Sequence, residues 1–315
     1  MAKNVLKPCK DILFSKNFFL NKNILVTGGG SGIGKQIATD YSNLGASVTI
    51  VGRNMDRLDK AKNDIFKTTN NEPRIVSLDV RNREEIVELA NKMEAESRIP
   101  DIVINNAAGN FINKSELISE NGWNSIIDIV LKGTINITTV FGKHLIDKNQ
   151  NGTFINISTT YAEAGSAFVV PSAVAKAGCN NLTKSLASEW GKHGIRLLSV
   201  APGPIYTDGA FSRLDPTNKF SKMAETKLPL GRLGDKKELS NFVTFLSSDY
   251  CNWMTGEVIN FDGGEVVGNA GEFNFLNSIS PEKLENMLQI GKNINMDKNP
   301  SYGAFVRMNP HDSII

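Results

Sequence analysis

Residues Thr27 to Gly34 read TGGGSGIG, a spacing suited to holding a charged diphosphate. Gly28, Gly32 and Gly34 permit a tight turn and a close approach of backbone to ligand. Gly30, Ser31 and Ile33 complete the loop and lead into a helix whose first N–H groups have no internal partner. Phosphate oxygens are stabilised there by those amides and by the positive end of the helix dipole.

About 20 residues beyond such a loop, a site for NADH places Asp or Glu against the ribose hydroxyls. This chain has Val51-Gly52-Arg53 instead. Gly52 leaves room and Arg53 is able to pair with a 2′-phosphate, so the residues favour NADPH. The plainer alternative for Arg53 is a solvated loop arginine. Asp79 is either an acceptor for the adenine amino group or the N-cap of a helix starting near Asn82. Asn105-Asn106-Ala107-Ala108-Gly109 and Pro202-Gly203-Pro204-Ile205 would close the same crevice, the second as a wall for the nicotinamide.

These groups need a frame. Ile24–Thr27, Ser47–Val51, Arg74–Leu78, Ile102–Asn105, Thr153–Ile157, Arg196–Val200 and Val258–Phe261 are short apolar runs that read as buried strands. Amphipathic stretches separate them, such as Arg83–Glu96 with Ile86, Leu89, Ala90 and Met93 on one face. The alternation predicts an α/β fold: one Rossmann-like doubly wound domain, with a seven-stranded parallel sheet and helices on both faces. The expected divisions are an N-terminal arm or targeting segment over 1–20, the Rossmann-like domain over 21–275, and a C-terminal helix (Glu282–Ile290) and tail over 276–315.

The 315 residues are 40% hydrophobic and 22% charged, with a net charge of +2. That near-neutral balance leaves no electrostatic footprint for nucleic acid or an anionic membrane. The three cysteines are isolated, which suits a reducing compartment and supplies neither a disulfide framework nor a metal site. No uninterrupted apolar run reaches the roughly 18 residues of a membrane span. The first 23 residues carry Lys3, Lys7, Lys10, Lys16 and Lys22 against Asp11, interleaved with Leu13, Phe14, Phe18 and Phe19. A mitochondrial presequence without arginine and an arm packed on the domain stand side by side as readings.

One further stretch, VVPSAVAKAG (Val169–Gly178), places Lys176 on the helix after strand five, with Ser172 four residues earlier. The glycine loop, the Asn-Asn-Ala turn, this lysine and the later Pro-Gly together resemble the short-chain dehydrogenase/reductase family, over roughly Asn21 to Gly264. That family's usual catalytic asparagine, serine and tyrosine fall here on Val130, Thr159 and Ser172. A serine hydroxyl is too weak an acid to replace a phenol with a pKa near 10, so ordinary carbonyl reduction is disfavoured. INNAAGNF (Ile104–Phe111), YAEAGSAFVVPSAVAKAG (Tyr161–Gly178), PGPI (Pro202–Ile205), FSRLDPT (Phe211–Thr217) and GEFN (Gly271–Asn274) resemble the branch of mitochondrial-type, NADPH-dependent 2,4-dienoyl-CoA reductases.

The resemblance implies reduction of 2,4-dienoyl-CoA to 3-enoyl-CoA in the oxidation of unsaturated fatty acids. Tyr161 and Asn110 would stabilise the dienolate oxygen, and Lys176 would hold the cofactor ribose. Arg81, Phe111, Ser119, Ser172 and Arg213 would line the acyl-CoA path, under a flap from Tyr206 to Thr226. A homotetramer in the mitochondrial matrix is implied in the same way, with peroxisome or cytoplasm as alternatives. A generic NADPH-dependent carbonyl reductase and a non-catalytic NADPH-binding protein are the competing functions.

Overall fold

The computed structural model describes residues 6–11, 13–207, 222 and 225–293. The chain forms two compact units, Met1–Gly268 and Asn269–Ile315. In the first, β1 (Asn23–Thr27), β2 (Ser47–Gly52), β3 (Arg74–Ser77), β4 (Ile102–Asn105), β5 (Gly152–Ile157), β6 (Ile195–Pro202) and β7 (Val258–Phe261) build one sheet. Its order is β3-β2-β1-β4-β5-β6-β7 and every pairing is parallel. The expected doubly wound architecture is therefore the observed one, with strand limits within two residues of those read from the apolar runs. Short Val/Ile-rich segments form these strands because both of their faces are covered.

Successive strand residues supply the two faces. Ile24 and Val26 of β1 pack with α1 (Gly32–Asn43), α2 (Met55–Thr69) and α8 (Lys236–Ser247) through Ile37, Tyr41, Ile65, Leu239 and Val243. Leu25, between them, faces α3 (Arg83–Ala95), α5 (Gly133–Asp147) and α7 (Val170–Trp190), meeting Ile86, Phe141 and Trp190. The sheet runs from β1 to β2 and β3 on one side and returns to β4 on the other. The loops after β1 and β4 therefore diverge and leave a crevice at the strands' C-terminal ends.

Helix α4 (Glu120–Ile127), a five-residue π turn (Asp128–Lys132) and α5 run on as one helical stretch, Glu120–Asp147. By length and composition this stretch is apolar enough to cross a membrane, although no uninterrupted apolar run in it is long enough. Scattered Thr, Gly and Asn residues break the run without making the helix polar. Half of the apolar window is buried in the fold, with Ile137, Phe141 and Leu145 in the core, so it is occupied as a core helix.

The N-terminal arm lies on the domain. Phe14 stacks on Phe18 with ring centres 4.0 Å apart, and both stack on Tyr250. Phe19 is buried edge-on against Tyr41 of α1. Asn241 of α8 donates to the Asp11 carbonyl at 2.8 Å. In the second unit, a 3-10 turn (Asn274–Ser278) precedes α10 (Pro281–Asn293), which contains the expected Glu282–Ile290 helix. Arg213 and nearly all of the expected flap lie outside the described residues.

Candidate active site at the switch point

The glycine loop closes against β4. Gly28 is left-handed (φ +65°), and a Cβ on Gly34 would stand 2.6 Å from the Gly28 carbonyl and 2.5 Å from Asn106 Nδ2. Thr27 Oγ1 accepts from the backbone N–H of Asn106 and Ala107 (2.9 and 3.0 Å). Asn106 Nδ2 in turn donates to the Thr27 carbonyl at 3.0 Å. At the helix entrance, Ser31 has an extended backbone and its side chain makes no capping bond; no acidic residue stands in the first turn of α1. That leaves the first amides of α1 to accept an anion, and the cradle fits the pyrophosphate of a dinucleotide.

Beside it, a cavity of ≈ 290 Å³ is lined by Gly28, Gly30, Ser31, Gly52, Arg53, Arg57, Leu78, Asp79 and Ala107, among others. Arg53 is therefore on the wall, as expected for a group meeting a 2′-phosphate. Arg57 was not anticipated. It stands on the first turn of α2, three residues past the N-cap Asn54, and its stem passes over Gly30.

Asp79 also lines this cavity, but its carboxylate holds Arg81 at 2.6 Å (Oδ2 to Nη2) and 3.0 Å (Oδ1 to Nε). That bond holds the Asp79 carboxyl below the usual carboxylate range and raises Arg81. The capping role falls to Asn82, whose side chain accepts from the N–H groups of Glu84 and Glu85. The structure thus joins two residues read separately from the sequence, one for adenine and one for coenzyme A.

A second cluster lies at the ends of β4 and β5. Asn110, on the loop after β4, donates through Nδ2 to the Tyr161 hydroxyl at 3.2 Å. Tyr161 opens α6 (Tyr161–Ala164), a single turn after β5, and its hydroxyl is also 3.2 Å from Ser172 Oγ on α7. The three side chains come from three elements separated by up to 62 positions, yet converge on one phenolic oxygen. Asn110 donates to one lone pair of that oxygen; with the Ser172 hydroxyl donating to the other, the phenolic proton and the second amide proton of Asn110 are left for an acceptor. Such an arrangement stabilises negative charge developing on an oxygen.

Lys176, one turn after Ser172, is buried, and its ammonium donates to the Ile157 carbonyl at the end of β5. Burial pulls its pKa below that of an ordinary lysine, with the nearby Cys179 thiol acting weakly in the other direction. Val130 is fully buried in the π turn, and its carbonyl accepts from Thr134 Oγ1 (2.7 Å) and Cys179 Sγ (3.4 Å). Phe111 packs beside Val130 and Ala175 as a wall of the cluster. Ser119 caps α4 by accepting from the Gly122 N–H at 3.2 Å. Gly203 accepts no side chain toward β7, since a Cβ there would meet the Asp262 backbone at 2.9 Å. Pro202, Pro204 and Ile205 stand with it at the end of β6.

Comparison with known proteins finds similarity over most of the chain. A family model described as enoyl-(acyl carrier protein) reductase matches residues 28–265. An uncharacterized oxidoreductase of Caenorhabditis elegans is 45% identical over 84% of this chain and 86% of its own. A probable 2,4-dienoyl-CoA reductase of the same organism, named as (3E)-enoyl-CoA-producing, is 43% identical over 80% of this chain and 83% of its own. A peroxisomal 2,4-dienoyl-CoA reductase of Danio rerio is 33% identical over 82% and 86%. Among solved structures, a short-chain dehydrogenase of Bacillus anthracis superposes with a TM-score of 0.70 at 40% identity, covering 78% of this chain and 96% of the other. A 2-deoxy-D-gluconate 3-dehydrogenase of Agrobacterium tumefaciens, solved with bound NADP, has a TM-score of 0.71 at 28% identity over 79% and 97%.

Proposed function

The chain belongs to the short-chain dehydrogenase/reductase family, and we propose that it reduces 2,4-dienoyl-CoA thioesters to 3-enoyl-CoA with NADPH. When bound, NADPH supplies a hydride, which adds to the δ carbon of the dienoyl group. Arg53 and Arg57 recognise the 2′-phosphate, and the amides opening α1 hold the pyrophosphate. Lys176, held at the end of β5 by the Ile157 carbonyl, would hold the ribose.

Electron density displaced from the diene runs through the conjugated system to the thioester oxygen. Tyr161 O–H and Asn110 N–H donate to that oxygen, holding the dienolate until the α carbon takes a proton. Phe111, Ser119, Ser172, Arg81 and Arg213 are the proposed substrate contacts; for Arg81 this requires sharing its guanidinium with Asp79. A homotetramer in the mitochondrial matrix completes the proposal, and the peroxisomal relative makes that compartment the first alternative.

One observation carries the reading: the phenol reaches the cluster from Tyr161, while Ser172 fills the helix position four before Lys176. A ketone reductase needs its acid at that helix position, where this chain has a hydroxyl that stays protonated. The test is NADPH oxidation with a 2,4-dienoyl-CoA, a simple ketone and a 2-enoyl-CoA in parallel, with the product identified by mass spectrometry and ultraviolet spectrum. Turnover of the dienoyl thioester alone, giving 3-enoyl-CoA, is expected. Reduction of the ketone with no turnover of the dienoyl thioester would overturn the reading.

A further inference from the structure

Tyr161 sits on one isolated helical turn, and such a turn has little stability of its own. Its internal bonds are local: Ala162 N–H to Thr159 O (3.1 Å), Glu163 N–H to Thr160 O (3.3 Å) and Gly165 N–H to Tyr161 O (3.0 Å). Something outside the turn must fix its base if the phenol is to stay within reach of Asn110. The residue immediately before Tyr161 makes that connection. Thr160 is buried, and its hydroxyl donates to Glu265 Oε2 at 2.8 Å, across 105 positions of sequence.

Glu265 is itself held firmly. It opens α9 (Glu265–Ala270) directly after β7, where Gly263 and Gly264 are left-handed (φ +63° and +86°) and turn the chain back toward β5. Asp262 ties that turn together: its two carboxylate oxygens accept from the N–H groups of Gly264 and Val266, both at 2.9 Å. The Gly203 N–H donates to the Phe261 carbonyl at 3.1 Å, so the same turn also braces the Pro202–Ile205 loop. A half-buried carboxylate in this place would be costly without a partner, and Thr160 is the donor the structure gives it.

We propose that Glu265 is a positioning residue for the reaction, fixing the turn that carries Tyr161 by accepting the Thr160 hydroxyl bond. The proposal rests on the reading of Tyr161 as the oxygen-stabilising phenol, and it adds the element that holds it there. Glu265 touches neither Tyr161 O–H nor Asn110 in this structure; it acts through Thr160.

Four variants separate the bond from the charge. Glu265→Ala and Thr160→Val remove the bond, whereas Glu265→Gln and Thr160→Ser keep an acceptor and a donor. Loss of the bond is expected to slow the single-turnover hydride step by about tenfold or more, with KM for NADPH within about twofold, because small misplacements of a reacting group cost rate strongly. Glu265→Gln and Thr160→Ser should stay near the parent rate. The Glu265→Ala/Thr160→Val double variant should be no slower than either single variant, as expected for two ends of one interaction.

A second readout needs no ligand: amide hydrogen exchange across residues 160–165 of the free protein should lose protection in the bond-breaking variants only. Unchanged rates and unchanged protection in Glu265→Ala and Thr160→Val would overturn the proposal, as would a Glu265→Gln variant as slow as Glu265→Ala. Should Glu265→Ala fail to fold, the Thr160 pair decides the matter alone. Absence of dienoyl-CoA turnover in the parent protein would count against the proposed function, while the exchange measurement would still decide the role of Glu265.

Discussion

The phenol of Tyr161 has two contacts, and they make different predictions. Asn110 donates to the phenolic oxygen, and with the Ser172 hydroxyl donating to it as well the phenolic proton is left for an incoming oxygen. Tyr161→Phe is expected to slow hydride transfer about a hundredfold, the usual effect of deleting one oxyanion donor, with NADPH affinity unchanged. Ser172→Ala should cost much less, and a comparable loss would move the role to Ser172; pre-steady-state absorbance of NADPH measures both. Arg53→Glu should shift preference from NADPH toward NADH, read as a ratio of kcat/KM values, and the placement of Arg57 means that this shift stays incomplete until Arg57 is also replaced. Lys176 was legible because it keeps a family position, and Tyr161 and Asn110 because Val130, Thr159 and Ser172 depart from the usual set and the surrounding stretches resemble another branch. The Asp79–Arg81 pair and the reach of Arg57 were not, because they depend on side-chain directions that spacing alone does not specify.

Among the elements, the strands were legible because each is a short apolar run whose length and Val/Ile content reflect burial on two faces. What links them was not. Asn105 of β4 stands in register with Asn156 of β5, which stands in register with Ser199 of β6. Asn105 Nδ2 donates to Asn156 Oδ1 (2.8 Å), Asn156 Nδ2 to Thr183 Oγ1 of α7 (2.8 Å), and Thr183 Oγ1 lies 2.8 Å from Ser199 Oγ. All four are buried, so this ladder bolts the helix carrying Ser172 and Lys176 to the centre of the sheet. Asn156→Leu would remove one bond each from Asn105 and Thr183, which keep Thr138 and the Cys179 carbonyl as partners, and should destabilise the protein by about 1–3 kcal/mol in urea unfolding, from two buried hydrogen bonds lost. The turn bearing Glu265 gives a pH-dependent counterpart. Burial, with the Asp262 charge adding to it, pushes the Glu265 carboxyl above its ordinary value of 4.5, against the pull of the Thr160 bond. An acid raised on folding contributes stability that is complete below its unfolded pKa and is lost as pH rises through the folded one. Glu265→Gln should therefore gain thermal stability relative to the parent as pH is raised from about 4 to 8, and a constant difference would show that the carboxyl is not perturbed.

At the scale of the whole molecule, the open question in the sequence was whether the lysine-rich N-terminus is a removable leader or part of the domain. Charge and apolar spacing are the same in both cases, because an amphipathic segment suits a translocation receptor and a protein surface equally. The packing predicts the second. Phe19 is buried in the core formed with Ile24, Tyr41 and Leu44, and its backbone N–H donates to the Leu44 carbonyl at 2.9 Å. Phe14 and Phe18 complete an aromatic stack that ends on Tyr250, and Lys10 reaches Asp235 at 3.5 Å on the surface. The surface ion pair contributes little, but emptying the Phe19 site should cost about 3 kcal/mol, as for other buried phenylalanines cut to alanine. A chain starting at Asn21 should consequently unfold at lower denaturant than one starting at Leu13, and Phe19→Ala in the full chain should account for most of that difference. If the protein is imported into mitochondria, a processing cut before Phe14 is the expected outcome. Mass spectrometry of the protein recovered from the organelle tests this: a mature N-terminus beyond Phe19 would mean that the aromatic stack is dispensable and that the arm is a leader after all.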